Sequence, residues 1–489
     1  MGRLTVPGKT VERLRAELVQ ADAQERFAFV HCGLAEDSLL AGTVETVPDE
    51  VMARQSPTAC RPSPAAERRH VESCHTDQLA PLFVHSHPFS DDPRFSSLDV
   101  ESMDRFREWL GGLFPTLSFG FAVVGREGLE ATGCLDGNST FRALDIEVLG
   151  SWKLDQPVPG ARSRFALPPE QPESEVSVGD SIDGDRNRSD PTSSRADDVS
   201  VRSDRFDRNV RALGEGGQRR IQAVTVGVVG LGGLGSMVVE QMARLGVEEF
   251  VLVDPDTVEA SNLPRLVGAY DHHIGKPKVD VVCEHLWRST PSTITVETHA
   301  ERVQTCVEVL DRCDVVIGCV DTVTARSFCN EYAVKQLQYY LDVGVRIDTA
   351  DEQAVSKTGY IHLVAPGSTA CFDCLGRHDQ DAARLEQLSP AEREAEYERG
   401  YLDDDDLAPE PAVIHLNGIC TSKAVSVIVD LVTGSAPPDF IRYEDHVHEM
   451  TELVTEASDS CPTCGADGVL GVGRRSFGDI HEMEATVSD

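Results

Sequence analysis

The sequence predicts a two-domain α/β protein whose second half is built on a doubly wound parallel sheet. Three observations carry that reading. Val224–Gly235 (VTVGVVGLGGLG) is an apolar, β-branched run ending in a glycine-rich turn, and Ser236–Gly246 continues with apolar positions at helical spacing. Further apolar runs that end in carboxylates, Glu249–Asp254 and Asp314–Asp321, follow with helical stretches between them, as in repeated βαβ units. Finally, 489 residues exceed one ordinary core, and the chain changes composition between Pro168 and Asp204, where Pro, Ser, Asp, Glu, Gly and Arg dominate. Such a stretch buries too little apolar surface to order itself. The expected division is a first domain over 1–160, a disordered acidic linker over 161–203, a second domain over 204–475 and a disordered tail over 476–489.

Bulk properties narrow the function classes. Asp plus Glu number 82 against 45 Lys plus Arg, a formal charge of −37 spread along the chain. That balance excludes a nucleic-acid or anionic-membrane surface. The acidic excess and scarce lysine resemble a halophilic archaeal protein, adapted to a salt-rich cytoplasm. There is no export signal and no apolar run near 18 residues, so a cytoplasmic protein is expected. The 14 cysteines are then expected to be reduced, serving metal or packing.

In chain order, Thr10–Ala23 reads as a helix and Glu25–Gly33 as a strand, while Met52–Glu72 lacks periodicity and reads as a long surface loop. Leu82–Pro88 then gives a short strand carrying His85 and His87, which period two places on one face. Downstream, Ser96 stands near the cap of a helix over Val100–Leu110, with Asp99 in its first turn. Two histidines and a carboxylate suit a catalytic Zn2+ with one position left for water. That water needs a nearby carboxylate to take and return its proton. Phe119–Gly125, Gly133–Leu135 and Phe141–Leu149 read as further strands.

His85-x-His87-Pro88 followed by Ser96-x-x-Asp99, with an upstream Glu before a strand, resembles the JAMM/MPN metalloprotease domain of deubiquitinating isopeptidases. The resemblance implies that His85, His87 and Asp99 hold zinc, that Ser96 stabilises the oxyanion and that Glu25 is the general acid/base, with Glu36 as its competitor. Eight residues separate His87 from Ser96, one more than the family spacing.

In the second half, the glycines of Gly230-Leu-Gly232-Gly233-Leu-Gly235 allow a tight turn, close approach of backbone N–H groups to phosphate and close helix packing. The helix N-terminus behind them favours an anion, and Asp254 ends the next strand where a ribose hydroxyl would sit. This Rossmann-like unit fits NAD or ATP equally. Arg265 and Lys278 favour ATP, because charge building on a reacting phosphoryl group needs fixed cations. Asp321 ends a later strand where Mg2+ would be held.

Taken in order, GLGGLG, Asp254-x-Asp256, Asn262-x-x-Arg265, the Lys278 helix and Asp321-x-x-x-x-Arg326 resemble the ThiF/MoeB/HesA family, the adenylating core shared with ubiquitin-activating enzymes. By that resemblance Gly230, Gly232, Gly233 and Gly235 line the ATP phosphates, Asp254 binds ribose, Asn262, Arg265 and Lys278 contact phosphates, and Asp321 holds Mg2+. Arg208 matches an arginine that reaches into a partner subunit, implying a homodimer.

Cys371-x-x-Cys374 and Cys461-x-x-Cys464 form two knuckles suited to a closed, structural Zn2+ site. Ser389-Pro390 starts a charged helix to about Glu398, and the acidic run Asp403–Asp406 follows. No cysteine lies between Cys374 and Cys420, where relatives place a thioester cysteine, and Cys420 reads as core. The expected function is ATP-dependent adenylation of the C-terminal glycine of a ubiquitin-like or sulfur-carrier protein ending in Gly-Gly, fused to a zinc peptidase acting on the same tail. The alternatives are adenylation of a short peptide, an NAD-dependent oxidoreductase, and a first domain that only docks the carrier.

Overall fold

The computed structural model describes residues 2–135, 140–166, 205–290, 294–350, 353–377, 380–399 and 411–473. The expected tail, 476–489, and residues 167–203 of the expected linker lie outside them, as does Asp403–Asp406. In the first half the chain runs β1 (Arg3–Pro7), α1 (Gly8–Leu18), β2 (Phe27–Ala35), β3 (Ser38–Thr46), β4 (Met52–Ser56), β5 (Ala59–Pro62), α2 (Pro64–Thr76), β6 (Ala80–Ser86), α3 (Ser97–Leu113), β7 (Phe119–Val124), β8 (Leu129–Cys134), β9 (Arg142–Ala143) and β10 (Asp145–Leu149). Eight of these strands form one sheet in the order β10-β1-β3-β2-β6-β7-β8-β9.

The loop expected over Met52–Glu72 is instead a β4-β5 hairpin followed by α2. Ser63 caps α2 and Pro64 occupies its first turn, and Ala66, His70, Val71 and Cys74 are its buried residues, at helical spacing. A Ser-Pro start and a narrow apolar stripe were outweighed in composition by the exposed arginines and glutamates between them.

The second half runs α4 (Asp207–Ala223), β11 (Thr225–Val229), α5 (Gly233–Leu245), β12 (Glu249–Val253), α6 (Lys278–Ser289), β13 (Thr295–His299), β14 (Val315–Gly318), α7 (Val323–Gln336), β15 (Tyr339–Ala350), β16 (Gln353–Val364), α8 (Gln380–Gln387), α9 (Pro390–Glu398), α10 (Ile414–Thr433), β17 (Phe440–Glu444) and β18 (Glu449–Leu453). The sheet order is β13-β12-β11-β14-β15-β16-β17-β18, parallel from β13 to β15 and antiparallel beyond. Chain order reverses between β11 and β14, the position at which doubly wound sheets bind ligands. Helix α10 is long and apolar enough to cross a membrane by length and composition, which corrects the expectation that no such run exists. More than half of it is buried, and it packs on α5, α4, β15 and β16 as a core helix.

The two halves are docked through a polar and aromatic interface. Gly8 N donates to Ser368 Oγ at 3.2 Å, Ser368 Oγ donates to Leu149 O at 3.0 Å, and Gly33 N donates to Gly471 O at 2.7 Å. Lys153 pairs with Asp439 and Lys9 with Asp459. Phe165 stacks on Tyr339, centroids 5.7 Å apart, and Arg164 donates to Leu337 O at 3.0 Å. Residues 161–166 are therefore ordered chain at this interface, which corrects the expected linker start at 161.

The register shows which ends of the sheets meet. Gly33 and the β2 end beyond it face the second half, whereas His85 pairs with Phe27 at the other end of β2, six residues or roughly 20 Å away. In the second sheet Tyr339 is the first residue of β15, and the glycine loop leaves the opposite, C-terminal ends of the parallel strands. Both sites described below thus open away from the interface.

Glu147 anchors this contact electrostatically. It is 2 % exposed and accepts from Arg164 Nε at 2.6 Å, Thr5 Oγ1 at 3.0 Å and Arg3 at 3.1 Å. Burial raises its carboxyl pKa, but Arg164, Arg3 and Thr5 together outweigh that and leave it below the ordinary glutamate range. Glu147→Gln is expected to cost about 3–5 kcal/mol at neutral pH, because Arg164 stays buried without its counter-charge. A depressed folded pKa means the contribution is present above the unfolded glutamate pKa and disappears as pH falls through the folded value. Urea titrations from neutral to acid pH should show that decline in the wild type and not in the variant.

Candidate functional site

The glycine loop is shaped by close backbone approaches. Gly230 has φ +89°, and a Cβ there would lie 2.7 Å from Cys319 O, on the neighbouring loop after β14. A Cβ on Gly235 would lie 1.8 Å from Gly230 O, and one on Gly233 would lie 2.3 Å from Asn417 Nδ2. Gly232 has nothing within 4 Å of its Cβ position, and as the cap of α5 it offers no side-chain bond to the helix N–H groups. Open space over unpaired donors is what an anionic phosphate requires.

Asp254, 3 % exposed, holds this loop in place. Its carboxylate accepts from Leu231 N at 2.5 Å and from Asp256 N at 2.8 Å. Each oxygen thus already serves the backbone, so its first role is to clamp the turn, with remaining lone pairs free for a hydroxyl. Burial raises its pKa, opposed by Lys278 and the two backbone donors. Lys278 Nζ lies 2.7 Å from Asp256 and 3.9 Å from Asp254. Arg265 packs over Gly233 and donates to Ser261 O at 2.7 Å, while Asn262 accepts from Glu259 N at 3.1 Å in a capping turn.

Asp321 stands exposed beyond the C-terminal end of β14, and Arg208 is exposed on the first turn of α4. Asn417 was not singled out in the sequence. It is 3 % exposed on the first turn of α10, and only the tertiary fold brings it to Gly233. Arg326 donates to Asp342 at 2.6 Å, and Arg377 lies 3.1 Å from Asp342 and 3.8 Å over the Tyr360 ring, so α7, β15, β16 and the chain just after Cys374 are tied together. Cys420 is fully buried, its thiol pKa pushed up to about 12 by burial, in keeping with a packing role.

The four knuckle cysteines converge. Cys371 and Cys461 sulfurs lie 3.5 Å apart, Cys374 and Cys464 3.3 Å, and Cys371 and Cys374 3.8 Å. Disulfides would need about 2.05 Å, whereas four thiolates around a tetrahedral Zn2+ stand about 3.8 Å apart. Ser458 N and Cys464 N donate to Cys374 and Cys461 sulfurs, as negative sulfurs favour. The set fits zinc.

In the first half β6 and α3 assemble the second cluster. His85 Nε2 lies 3.2 Å from His87 Nε2 and 3.2 Å from Asp99 Oδ1, and His87 Nε2 lies 3.5 Å from Asp99 Oδ2. The three ligand atoms surround one point, which fits a single cation. Ser96 caps α3, with its Oγ accepting from Asp99 N at 3.2 Å and its own N donating to Asp99 Oδ2 at 2.7 Å. This capping box aims Asp99 at the histidines. Burial raises the Asp99 pKa, but bonds with His85, His87 and Ser96 outweigh it and hold the carboxyl well below the usual range. Glu25 is buried with Oε1 3.9 Å from His87 Nε2, and burial raises its pKa. Glu36 is exposed in the β2-β3 turn at the far end of the sheet, so geometry separates the two candidates.

Comparison with known proteins bears on the second half. The ThiF family model matches residues 206–464. Ubiquitin-like modifier-activating enzyme 5 from Xenopus laevis is 34% identical over 169 residues, covering 32% of this chain and 40% of that protein. Its Arabidopsis thaliana counterpart is 32% identical over 172 residues, covering 32% and 38%. This chain thus spans about two fifths of the length of these relatives. Among solved structures, E. coli MccB with ATP aligns over 53% of this chain and 74% of its own at 20% identity, with a TM-score of 0.42. With a family match over more than half its length, the chain belongs to the ThiF family.

Proposed function

We propose that the second half adenylates the C-terminal glycine of a small ubiquitin-like or sulfur-carrier protein ending in Gly-Gly. The carrying observation is the open donor-rich loop at Gly232, flanked by Arg265 and Lys278 and clamped by Asp254. A carboxylate oxygen of the carrier attacks the α-phosphorus of ATP, the bond to the β-phosphate oxygen breaks, and pyrophosphate leaves. Backbone donors at Gly232–Gly235 and the cations Arg265 and Lys278 stabilise the charge that builds on the phosphoryl oxygens. Mg2+, held by Asp321, would neutralise phosphate charge. Arg208, exposed on α4, would complete the site of a second copy in a homodimer. Cys371, Cys374, Cys461 and Cys464 would hold a structural Zn2+. The acyl-adenylate so formed would be ready for attack by a thiol, sulfide or amine.

For the first half, including the ordered interface chain 161–166, we propose a JAMM/MPN-type zinc peptidase that exposes or releases the same carrier tail, with the adenylating domain over 204–475. His85, His87 and Asp99 would hold a Zn2+ that supplies Lewis acidity and an acidified water. Glu25, buried beside His87, would take and return the proton, and Ser96 would orient Asp99 and face the oxyanion.

The test is labelled pyrophosphate exchange by the full chain with the host's small Gly-Gly-ending proteins, alongside cleavage of their C-terminally extended forms. Exchange is expected with at least one of them and should fall about 100-fold in Lys278→Ala. Cleavage should vanish in His87→Ala while exchange persists. Exchange with a short free peptide and with no folded carrier overturns the substrate assignment.

A further inference from the structure

Helix α2 and strand β2 bring together three ligand-type side chains that neither proposed site uses. His31 lies on β2, and His70 and Cys74 lie on α2 one turn apart. One ligand atom from each lies within 4.8 Å of the other two. His31 pairs with Pro81 where Phe27 pairs with His85, so the cluster sits four residues, roughly 13 Å, along the sheet from the His85 cluster.

The polar atoms here lack ordinary partners. His31 Nδ1 is buried with no hydrogen-bond partner. A buried imidazole nitrogen with no hydrogen-bond partner is free to serve a metal. His70 is 4 % exposed, and the contacts of its two nitrogens are to Cys74 Sγ at 3.8 and 3.9 Å, long for any hydrogen bond. Its ring is held by Phe29 stacked at 4.5 Å and by Phe83 and His31 edges at 5.4 and 4.7 Å. A rigid aromatic frame thus presents two imidazoles and a thiol to one point.

We propose that His31, His70 and Cys74 hold a thiophilic d10 cation, Zn2+ or Cu+, in a centre separate from the four-cysteine and His85 clusters. Two neutral nitrogens and one thiolate are a soft ligand set that matches both ions and disfavours Mg2+ or Ca2+. Metal bonds of about 2.0–2.3 Å place such ligands about 3.3–3.8 Å apart, a modest closure from the observed spread. Binding displaces the Cys74 thiol proton to solvent and pins α2 to β2. Access is provided by His31, which is half-buried and lines an open cleft of about 810 Å³ whose wall also carries Glu17, Glu45 and Asp49.

The test is a metal count on the full chain by plasma mass spectrometry after loading with Zn2+ and gel filtration, and in parallel a Cu+ titration against bicinchoninate. Wild type, Cys74→Ala and His31→Gln are compared, each also in a His87→Ala background. Each variant is expected to hold one equivalent fewer than its parent, of Zn2+ or of Cu+, in both backgrounds. Metal-free melting temperatures should match the parents, which separates a lost ligand from a lost fold. Should Cys74→Ala fail to fold, His31→Gln, at a half-buried position, carries the count. Equal equivalents in variants and parents for both cations overturns the centre.

Discussion

Gly235→Ala is expected to lower pyrophosphate exchange by about 100-fold or more and to cost about 1–3 kcal/mol of stability. The added Cβ would sit 1.8 Å from the Gly230 carbonyl oxygen, so the first turn of α5 and the loop must separate. The loop cannot yield cheaply, because Gly230 N donates to Val253 O at 2.8 Å and Leu231 N to Asp254 at 2.5 Å. Gly232→Ala is the matched control: its Cβ meets nothing within 4 Å and its φ of −73° suits alanine, so stability should be unchanged. ATP binding by calorimetry and urea denaturation of both variants check the pair. Wild-type exchange in Gly235→Ala would show that phosphates are not held at this turn.

Cys464→Ser is expected to loosen the first half as well as the second. The chain that leaves the four-cysteine cluster crosses directly onto β2 and β3: Thr43 Oγ1 donates to Ala466 O at 3.3 Å, Gly33 N to Gly471 O at 2.7 Å, and Gly471 N to Val334 O at 3.1 Å. A Cβ on Gly33 would lie 2.4 Å from Gly471 O, so this strap lies flat on the strand. Its near end is fixed by the cluster, and Lys9 bonds Ala457 O and Asp459 just before Cys461. Opening the cluster by Cys464→Ser, or by a chelator of the proposed Zn2+, should speed amide exchange at Gly33 about 10-fold or more, equal to about 1.4 kcal/mol of local opening. Hydrogen-exchange mass spectrometry of the peptide spanning Gly33 reads this directly. Unchanged protection there, with metal gone from the cluster, would show that the strap is held independently of it.

Much of both sites is local enough to be read from sequence. The GLGGLG turn, the strand pair ending at Asp254 and Asp321, the His85-x-His87 strand and the Ser96-Asp99 capping box each depend on residues within about one element. Helix α9 appeared where Ser389-Pro390 announced it, and the structure adds a capping box between Ser389 and Glu392. What was not legible depends on distant contacts. Asn417 reaches Gly233 from a helix more than 180 residues away, and Ser368 bridges Gly8 and Leu149 across the two halves. Phe165, at the edge of a polar stretch, becomes core only because Tyr339 receives it. Helix α2 was missed for a different reason: its buried stripe of Ala66, His70, Val71 and Cys74 includes a histidine and a small residue, which pattern reading does not count as apolar.

The back-to-back docking of the two halves has a kinetic meaning. If the proposed functions hold, a carrier tail freed at the His85 cluster would reach the glycine loop only by leaving into bulk solvent and rebinding, because both lie at the sheet ends away from the interface. The product of that proposed cleavage would then be a diffusible pool shared by every copy of the protein. A scavenger that binds the exposed Gly-Gly tail should intercept it completely, and the rate of activation should follow total carrier concentration irrespective of which molecule did the cutting.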